Sequence, residues 1–398
     1  MQSIQPSAPG AHAPMTSSTA GRETPVILQR FSDPERRRRF GQELDQLKER
    51  TFAELGSTDL AHVKRLDRFS LAMQVVGRVL IHVSPEPVTF FLGVGALWIH
   101  KQLQATEIGH TALHGAYDRI PGGKALSSKT FRWDTPIDEA SWRYGHNVRH
   151  HGNTNVAGKD PDIHFGPVRL TEHTPHDARH RYQLPFTLGV LFPFFGFLMN
   201  LHFTGLTDVY VGNGRPEQFD FITDRSKESV RAAWKKALRK YIPYFIKNYV
   251  FFPALAGPFF WKVLLGNWLA ERMRDVYSAA TIFCGHVGHD VATYPEGTKA
   301  LGRADWYAMQ IEAANNYEVS LPVSVLCGGL DRQIEHHLFP TLPPQRLRQI
   351  APEVRAICER HGVAYKTDTW GRTLRKALAH IAQLSREGGV RQVMRAMA

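Results

Sequence analysis

The stretch QIEHHLFP, residues 333–340, sets His336 and His337 side by side next to Glu335 and closes on Leu-Phe-Pro. A lone histidine pair is weak evidence of anything, because such pairs occur by chance and often sit in solvent. Here it has company. His110 and His114 form an HxxxH, His146, His150 and His151 form an HxxxHH, and His286 follows Cys284-Gly285 with His289 three residues on. Residues four apart share one face of a helix, so each spaced pair can aim at one metal. Adjacent residues diverge by about 100° around a helix axis, which suits an HH pair to two neighbouring metals. Gln333 stands four before His337 and can add an amide to the same face.

The ligand set predicted from these boxes is His110, His114, His146, His150, His151, His286, His336 and His337, four imidazoles for each of two metals. His289 is a spare or a supporting group. Imidazole suits iron, zinc and copper, whereas carboxylate-rich sites suit magnesium, calcium and manganese. A structural zinc needs four ligands and usually some cysteine. Two redox-active irons fit this thiolate-free, doubled set better. Carboxylate-bridged di-iron bundles use Glu and ExxH pairs, the opposite balance. Asp160 and Asp162 in KDPDIH follow the second box closely; they either hold ligand imidazoles from behind or shape a Pro turn. Glu107 and Glu335 are further supporting candidates, His164 is a possible extra ligand, and Asn315 and Asn316 are candidates for holding a water. His173, His176 and His180 lie in a polar stretch and read as surface residues; His82, His100 and His202 read as satisfied helix or interface histidines.

The elements that must position these groups are apolar helices. Ser70–Gln104, Leu184–Gly205 and Tyr241–Gly288 are apolar runs in a chain whose mean hydropathy is only −0.30. A membrane span needs about 20 mostly apolar residues. Pro85-Glu86-Pro87 divides the first run into two spans, and a charged break near Gly266–Asp275 divides the third. The predicted spans are 70–84, 87–104, 243–264 and 268–287. Arg215, Arg225, Lys227, Arg231, Lys235, Lys236, Arg239 and Lys240 follow the middle run. Positive loops stay inside, so 184–205 reads as an interfacial or re-entrant element rather than a span. Both termini and all the boxes then face the cytoplasm. The fold class expected is an all-α integral membrane protein with about four spans, interfacial helices and a cytoplasmic helical cap carrying the boxes. Residues 1–66 read as a polar basic region with 1–25 disordered, 67–367 as the main domain, and 368–398 as a polar helical tail.

The formal charge of +12 would suit nucleic acid. No zinc-finger spacing accompanies it, and the arginines flank apolar runs, so nucleic acid is not an expected partner. Cys284, Cys327 and Cys358 are far apart with no CxxC, which argues against a disulfide framework, a zinc ribbon and an iron–sulfur cluster. No apolar segment behind a short charged head marks a secretory signal. His110 follows the end of one apolar run and His286 nearly ends another. Metals there would meet an apolar tunnel, where activated oxygen could attack an unactivated C–H bond of a lipid chain held near them.

These residues resemble the membrane-bound fatty acid desaturases with three histidine boxes, over roughly Val88–Thr367. GGLDRQIEHHLFP is similar to the third box of the front-end and bacterial acyl-lipid branches, with Gln333 in place of a first His. HNVRHHGNTN with DPDIHFG is similar to the second box, EIGHTALHG to the first, and FCGH to the extra histidine on the last span. APEVR with Cys358 and Gly362 is similar to the soluble C-terminal cap. The resemblance implies four spans in a bacterial cytoplasmic membrane, a di-iron centre and O2 as co-substrate. It also implies insertion of a cis double bond into an acyl chain carried by coenzyme A, acyl carrier protein or phospholipid. No haem or ferredoxin domain is fused, so electrons are expected from a separate donor such as ferredoxin with its reductase. HTALH lacks the Asp that many relatives carry after the first His. Two rivals remain: a lipid hydroxylase, ketolase or alkane monooxygenase of the same di-iron chemistry, and a metal-transport membrane protein. Transport would place ionisable residues along a mid-span pathway.

Overall fold

The computed structural model describes residues 26–211 and 221–386, and these are mostly helical. The expected disorder of 1–25, Arg215 and the tail beyond residue 386 lie outside the described residues.

Helix α1 (Pro34–Ala53) starts where Asp33 accepts from the Glu35 amide at 2.9 Å and Pro34 takes the first turn. Helix α2 (Ser57–Val83) starts where the Asp59 carboxylate accepts from the Gly56 amide at 3.0 Å. The boundary expected at residue 66 therefore falls inside α2. Helix α3 (Pro87–Leu103) begins at the Pro-Glu-Pro turn, where Glu86 accepts from Val88 and Thr89. It runs on through a π-helical stretch, Gln104–His110, and Thr111–Leu113. The two helices cross at glycines: a Cβ on Gly77 would lie 2.6 Å from Leu97 N, and one on Gly93 2.8 Å from Ile81 N.

Helix α4 (Lys227–Ile246) continues through Lys247–Phe251 and Phe252–Ala254, turns at Gly257 (φ 52°) and returns as α5 (Phe260–His286). The break expected at Gly266–Asp275 is absent; α5 is continuous there, and the turn lies at 255–259. The physical reason is that the charges in this stretch are buried and matched. Glu271 meets Lys101 of α3 at 2.7 Å and also pairs with Arg274, while Arg274 meets Asp275 at 3.0 Å. Between these hairpins, helical segments at Ala178–Leu191 and Phe195–Phe203 meet at a bend of 112°. Asp275 accepts from Gly196 N at 3.0 Å and Arg272 donates to the Pro193 carbonyl, holding that bend. No single helix among the described residues is both long and apolar enough to cross a membrane.

The cap is built from α1, α6 (Arg303–Glu312), α7 (Gln333–Leu338) and α8 (Pro344–His361), while α9 (Trp370–Leu384) packs on α5 through Trp370, Leu374 and Ala377. Phe40, Leu44 and Leu47 of α1 bury against Tyr307, Ile334, Leu338, Phe339 and Val354. Two parallel strand pairs lie at the cap's edges, Ile27–Leu28 with Lys299–Ala300 and Asn316–Glu318 with Thr367–Thr369, and His164–Phe165 pairs antiparallel with Val168–Arg169 beside α9.

Candidate metal centre

The second box lies on a π-helical turn, where i→i+5 hydrogen bonding widens the spiral, and a π-helical stretch, Gln104–His110, leads into the first. The π-helix that carries the second box runs Arg143–His150, and His151 N donates to His146 O at 3.0 Å. That register returns both His150 and His151 to the face of His146, where an α-helix would splay them. In the first box an ordinary turn joins His114 N to His110 O at 3.0 Å. The third box lies on α7 after two left-handed glycines, Gly328 and Gly329 (φ 71° and 73°). A Cβ on Gly328 would lie 2.6 Å from the Thr106 Cβ, so this turn sets box three directly against box one. The apolar side of α7 enters the cap core through Ile334 and Leu338, leaving the histidines facing the other way. His286 is the last residue of α5.

The eight predicted imidazoles converge. His110, His114, His146 and His336 form one set and His150, His286 and His337 another, with ligand atoms within 4.8 Å of each other in each set. His151 stands between them, its ring 4.8 Å from those of His114 and His336 and stacked 4.4 Å from His337. Nε2 of His110 lies 3.2 Å from Nε2 of His114 and 3.3 Å from that of His146; His337 and His286 meet at 3.2 Å. Two nitrogens each ~2.1 Å from one ion, at tetrahedral or octahedral angles, lie about 3.0–3.4 Å apart. Nε2 of His150 and His336 and both ring nitrogens of His151 are buried without a hydrogen-bond partner among the described residues. Buried polar atoms are normally paired; here a metal would satisfy them, so the donor set fits metal bound by imidazole.

Burial, then the neighbouring His150 charge, pulls His110 down to about 3. Burial and mutual repulsion likewise hold His114, His146, His151, His336 and His337 well below the usual imidazole range. At neutral pH these rings are neutral, the state that ligates. Burial also acts against a charged His150, but Asp160 and Asp162 outweigh it and raise that ring to about 9. Both Asp160 oxygens lie 3.0 Å from His150 Nδ1, so Nε2 is free to face a metal, which would take the place of its proton.

Asp162 lies 3.4 Å from His146 Nδ1. Gln333 brings its amide 2.7 Å from His286 Nε2. Other candidates go elsewhere. Glu107 meets Arg348 at 3.2 Å rather than a histidine. Asn316 donates to Glu335 at 2.8 Å and accepts from Ile334 N, bracing α7, while Asn315 donates to Asp290. His289 is exposed, and His164 sits in a buried strand beside Gly158. His180, read as a surface residue, is buried and accepts from Asp177 N at 2.8 Å, closing a cap. Two contacts were not foreseen: Gln310 Oε1 and Thr154 Oγ1 each lie 3.1 Å from His337 Nδ1. Thr154 is four residues after His150 in HNVRHHGNTN, so helical spacing could have found it; Gln310 carries no such signal. Trp142 stacks on His146 at 4.5 Å.

A narrow, largely apolar cavity of about 100 Å³ opens from His110, His146 and His286. Phe195, Met199 and Phe283 are among its walls, and Arg274 and Asp275 line it further along α5. Twelve residues separate Arg274 from His286, about 18 Å of helix. A flexible apolar chain could lie along this space with one of its carbons beside the imidazoles.

The fatty acid desaturase family matches residues 85–369 of the chain. An NADPH-dependent stearoyl-CoA 9-desaturase of Mycobacterium tuberculosis is 30% identical over 356 residues, 86% of this chain and 78% of that protein. An sn-1 linoleoyl-lipid 6-desaturase of Synechocystis is 26% identical over 83% of this chain and 90% of its own length. Fatty acid desaturase 3 of Bos taurus is 27% identical over 74% of this chain and 62% of its own. With boxes, cavity and relatives in agreement, the chain belongs to the fatty acid desaturase family of oxidoreductases.

Proposed function

We propose that the two imidazole sets hold two iron ions, and that the enzyme uses O2 to insert a cis double bond into a lipid acyl chain lying in the apolar cavity. His110, His114, His146 and His336 would hold one ion, and His150, His286, His337 and His151 the other, with the Gln333 amide beside His286. Paired iron, when bound, supplies the O2 activation that an unactivated C–H bond requires. The chain's own residues do the rest. Asp160 and Gln310 orient imidazoles from behind, the aromatic walls keep water from the reacting carbons, and the cavity aligns one carbon pair. The balance is R–CH2–CH2–R′ + O2 + 2 e− + 2 H+ → R–CH=CH–R′ + 2 H2O. The two electrons come from a separate donor such as a ferredoxin with its reductase.

The observation that carries this reading is an all-imidazole, thiolate-free site buried at the mouth of an apolar cavity. The three cysteines are buried away from it, Cys284 and Cys327 with Tyr317 and Cys358 in the cap core. The α2–α3 and α4–α5 hairpins are proposed to cross the bilayer. Exposed Leu71, Val75, Val79, Phe91, Leu92, Ile246, Phe251, Trp261 and Leu265 give them a lipid-facing belt. The boxes then face the cytoplasm with the basic start of α4. The substrate class is a fatty acyl group on coenzyme A, acyl carrier protein or phospholipid. The test is expression of the full chain in a desaturase-deficient host, followed by mass spectrometry of the fatty acids. A product two hydrogens lighter is expected, together with bound iron, and both should be lost in His336→Ala and His337→Ala. A product heavier by one oxygen, or activity surviving both substitutions, would overturn the reading.

A further inference from the structure

The proposed reaction needs two electrons that neither the acyl chain nor O2 supplies, and the imidazoles that need them are buried. The loop joining box one to box two carries Arg119, Lys124, Lys129 and Arg132, all exposed, and none has an ion-pair partner among the described residues. The cap's cations behave differently. Arg38 and Arg39 pair with Glu35, Arg50 with Glu353, Arg303 with Asp45 and Arg360 with Glu43. The loop's exposed acid, Asp118, is turned onto Ser128, accepting from its amide at 2.7 Å and its hydroxyl at 2.6 Å. The Ser128 carbonyl in turn accepts from Arg143 at 2.8 Å. Arg143 stands three residues before His146, so the cationic loop is pinned one helical turn from the first imidazole set. On the same segment Tyr144 and Val148 are 53% and 61% exposed. An apolar centre beside unneutralised cations is thus mounted on the back of a ligand helix, whose Trp142 stacks on His146.

We propose that this face docks an acidic one-electron carrier protein that feeds the metal centre; the inference rests on the O2-dependent reaction proposed above. Two reduced carriers would each give up one electron and two protons would come from water. The O–O bond and two C–H bonds break, and one C=C bond and two waters form. A bilayer headgroup surface fits the loop less well. A Cβ on Gly122 would lie 3.4 Å from Leu60, which is ten residues, about 15 Å of helix, before the apolar run of α2 begins at Ser70. Lys235 and Lys236 of α4, by contrast, lie just ahead of an apolar run and suit headgroups. Unpaired charges at a docking rim act chiefly on encounter and on its salt dependence.

The experiment uses the full chain in nanodiscs, with reduced plant-type [2Fe–2S] ferredoxin and, in parallel, reduced methyl viologen as donor. The variant is Arg119→Glu/Lys124→Glu/Lys129→Glu. With ferredoxin, its KM for the carrier should rise about tenfold or more at low salt, its kcat at saturation should hold, and its salt dependence should flatten. With viologen its rate should equal that of the unsubstituted chain. A carrier KM and salt response equal to the unsubstituted chain overturn the proposal. So does a matching loss with viologen, which would give the loop a role at the metal site. An effect seen in anionic nanodiscs but absent in phosphatidylcholine ones makes the loop a lipid contact and also overturns it. If the unsubstituted chain makes no alkene with either donor, the proposed reaction itself fails, a result distinct from all of these.

Discussion

Replacing Asp160 by Asn removes one charge and keeps the shape, which makes the metal-holding role of the imidazoles measurable. The carboxylate is fully buried and makes four contacts. His150 Nδ1 lies 3.0 Å from each oxygen, and the amides of Asn155 and Asp162 donate at 2.7 and 2.9 Å. An Asn amide offers one oxygen where the carboxylate offers two. Whichever way it is turned, an NH2 meets either His150 Nδ1–H or a backbone N–H. The unpaired donor costs about 1–3 kcal/mol of folding stability. Loss of the anion behind a ligand imidazole costs ~10–100-fold in metal affinity, about 1.4–2.7 kcal/mol. Asp162 is the control: it stands 3.4 Å from His146 and its side chain is 22% exposed, so Asp162→Asn should cost less than Asp160→Asn. The assay is chelator competition on iron-loaded full-length protein, with thermal melting before and after metal removal. Asp160→Asn should release iron at lower chelator concentration and show a smaller metal-linked rise in Tm. A chelator midpoint equal to that of the unsubstituted chain, or a larger loss in Asp162→Asn, would refute the Asp160–His150–metal arrangement.

Gln310→Ala should weaken metal retention by up to about tenfold and lower alkene yield with little change in Tm, since His337 keeps Thr154 behind it; wild-type iron content would show that the contact is idle. Gly93→Val should lower Tm, because its Cβ would meet Ile81 N at 2.8 Å, whereas Gly95→Val has nothing within 4 Å of its Cβ and should not; equal melting of the two would contradict the α2–α3 crossing. Burial raises the Asp59 carboxyl, but hydrogen bonds from Arg346, Gly56 and Gln345 outweigh it and hold the group below its ordinary value. Its stabilisation is therefore present above the unfolded pKa of about 4 and lost as pH falls through the lower folded value. The Tm gap between the unsubstituted chain and Asp59→Asn should be wide at pH 7 and close on acidification; a gap independent of pH would refute the linkage.

The histidines were legible because each box is local, and a ligand spacing of four survives small changes in helical geometry. The π-helical register was not legible. Nothing in RYGHNVRH distinguishes it from an α-helix, yet it is what turns His150 and His151 to the same side as His146. His289 misled because the C–G–H–V–G–H spacing suggests a continuing turn. The chain instead leaves the helix at Val287 in an extended conformation (φ −120°, ψ 127°) and carries His289 to the surface. Glu107 and Gln310 show the limit from the other side. Their partners, Arg348 and His337, are distant in sequence; the docking of the cap on the hairpins decides the first, and the packing of α6 on α7 within the cap the second.

The hairpins show why hydropathy alone placed one turn wrongly. A residue-by-residue scale treats each charge as though it faced lipid, so Glu271, Arg272, Arg274 and Asp275 read as a loop. In the fold they face inward, and Glu271 meets Lys101 from the neighbouring hairpin at 2.7 Å. Replacing all of them by apolar residues would give α5 a cleaner hydropathy profile, and a matched buried pair can often be exchanged so at little cost in stability. Here the exchange would not be neutral. Asp275 and Arg272 also hold the bend at Pro193–Gly196, and that bend sets Phe195 and Met199 in the cavity wall. The charges that hide the helix from a hydropathy scale are thus the ones that shape the space beside the imidazoles, so their exchange would be felt at the site rather than in the stability of the helix that carries them.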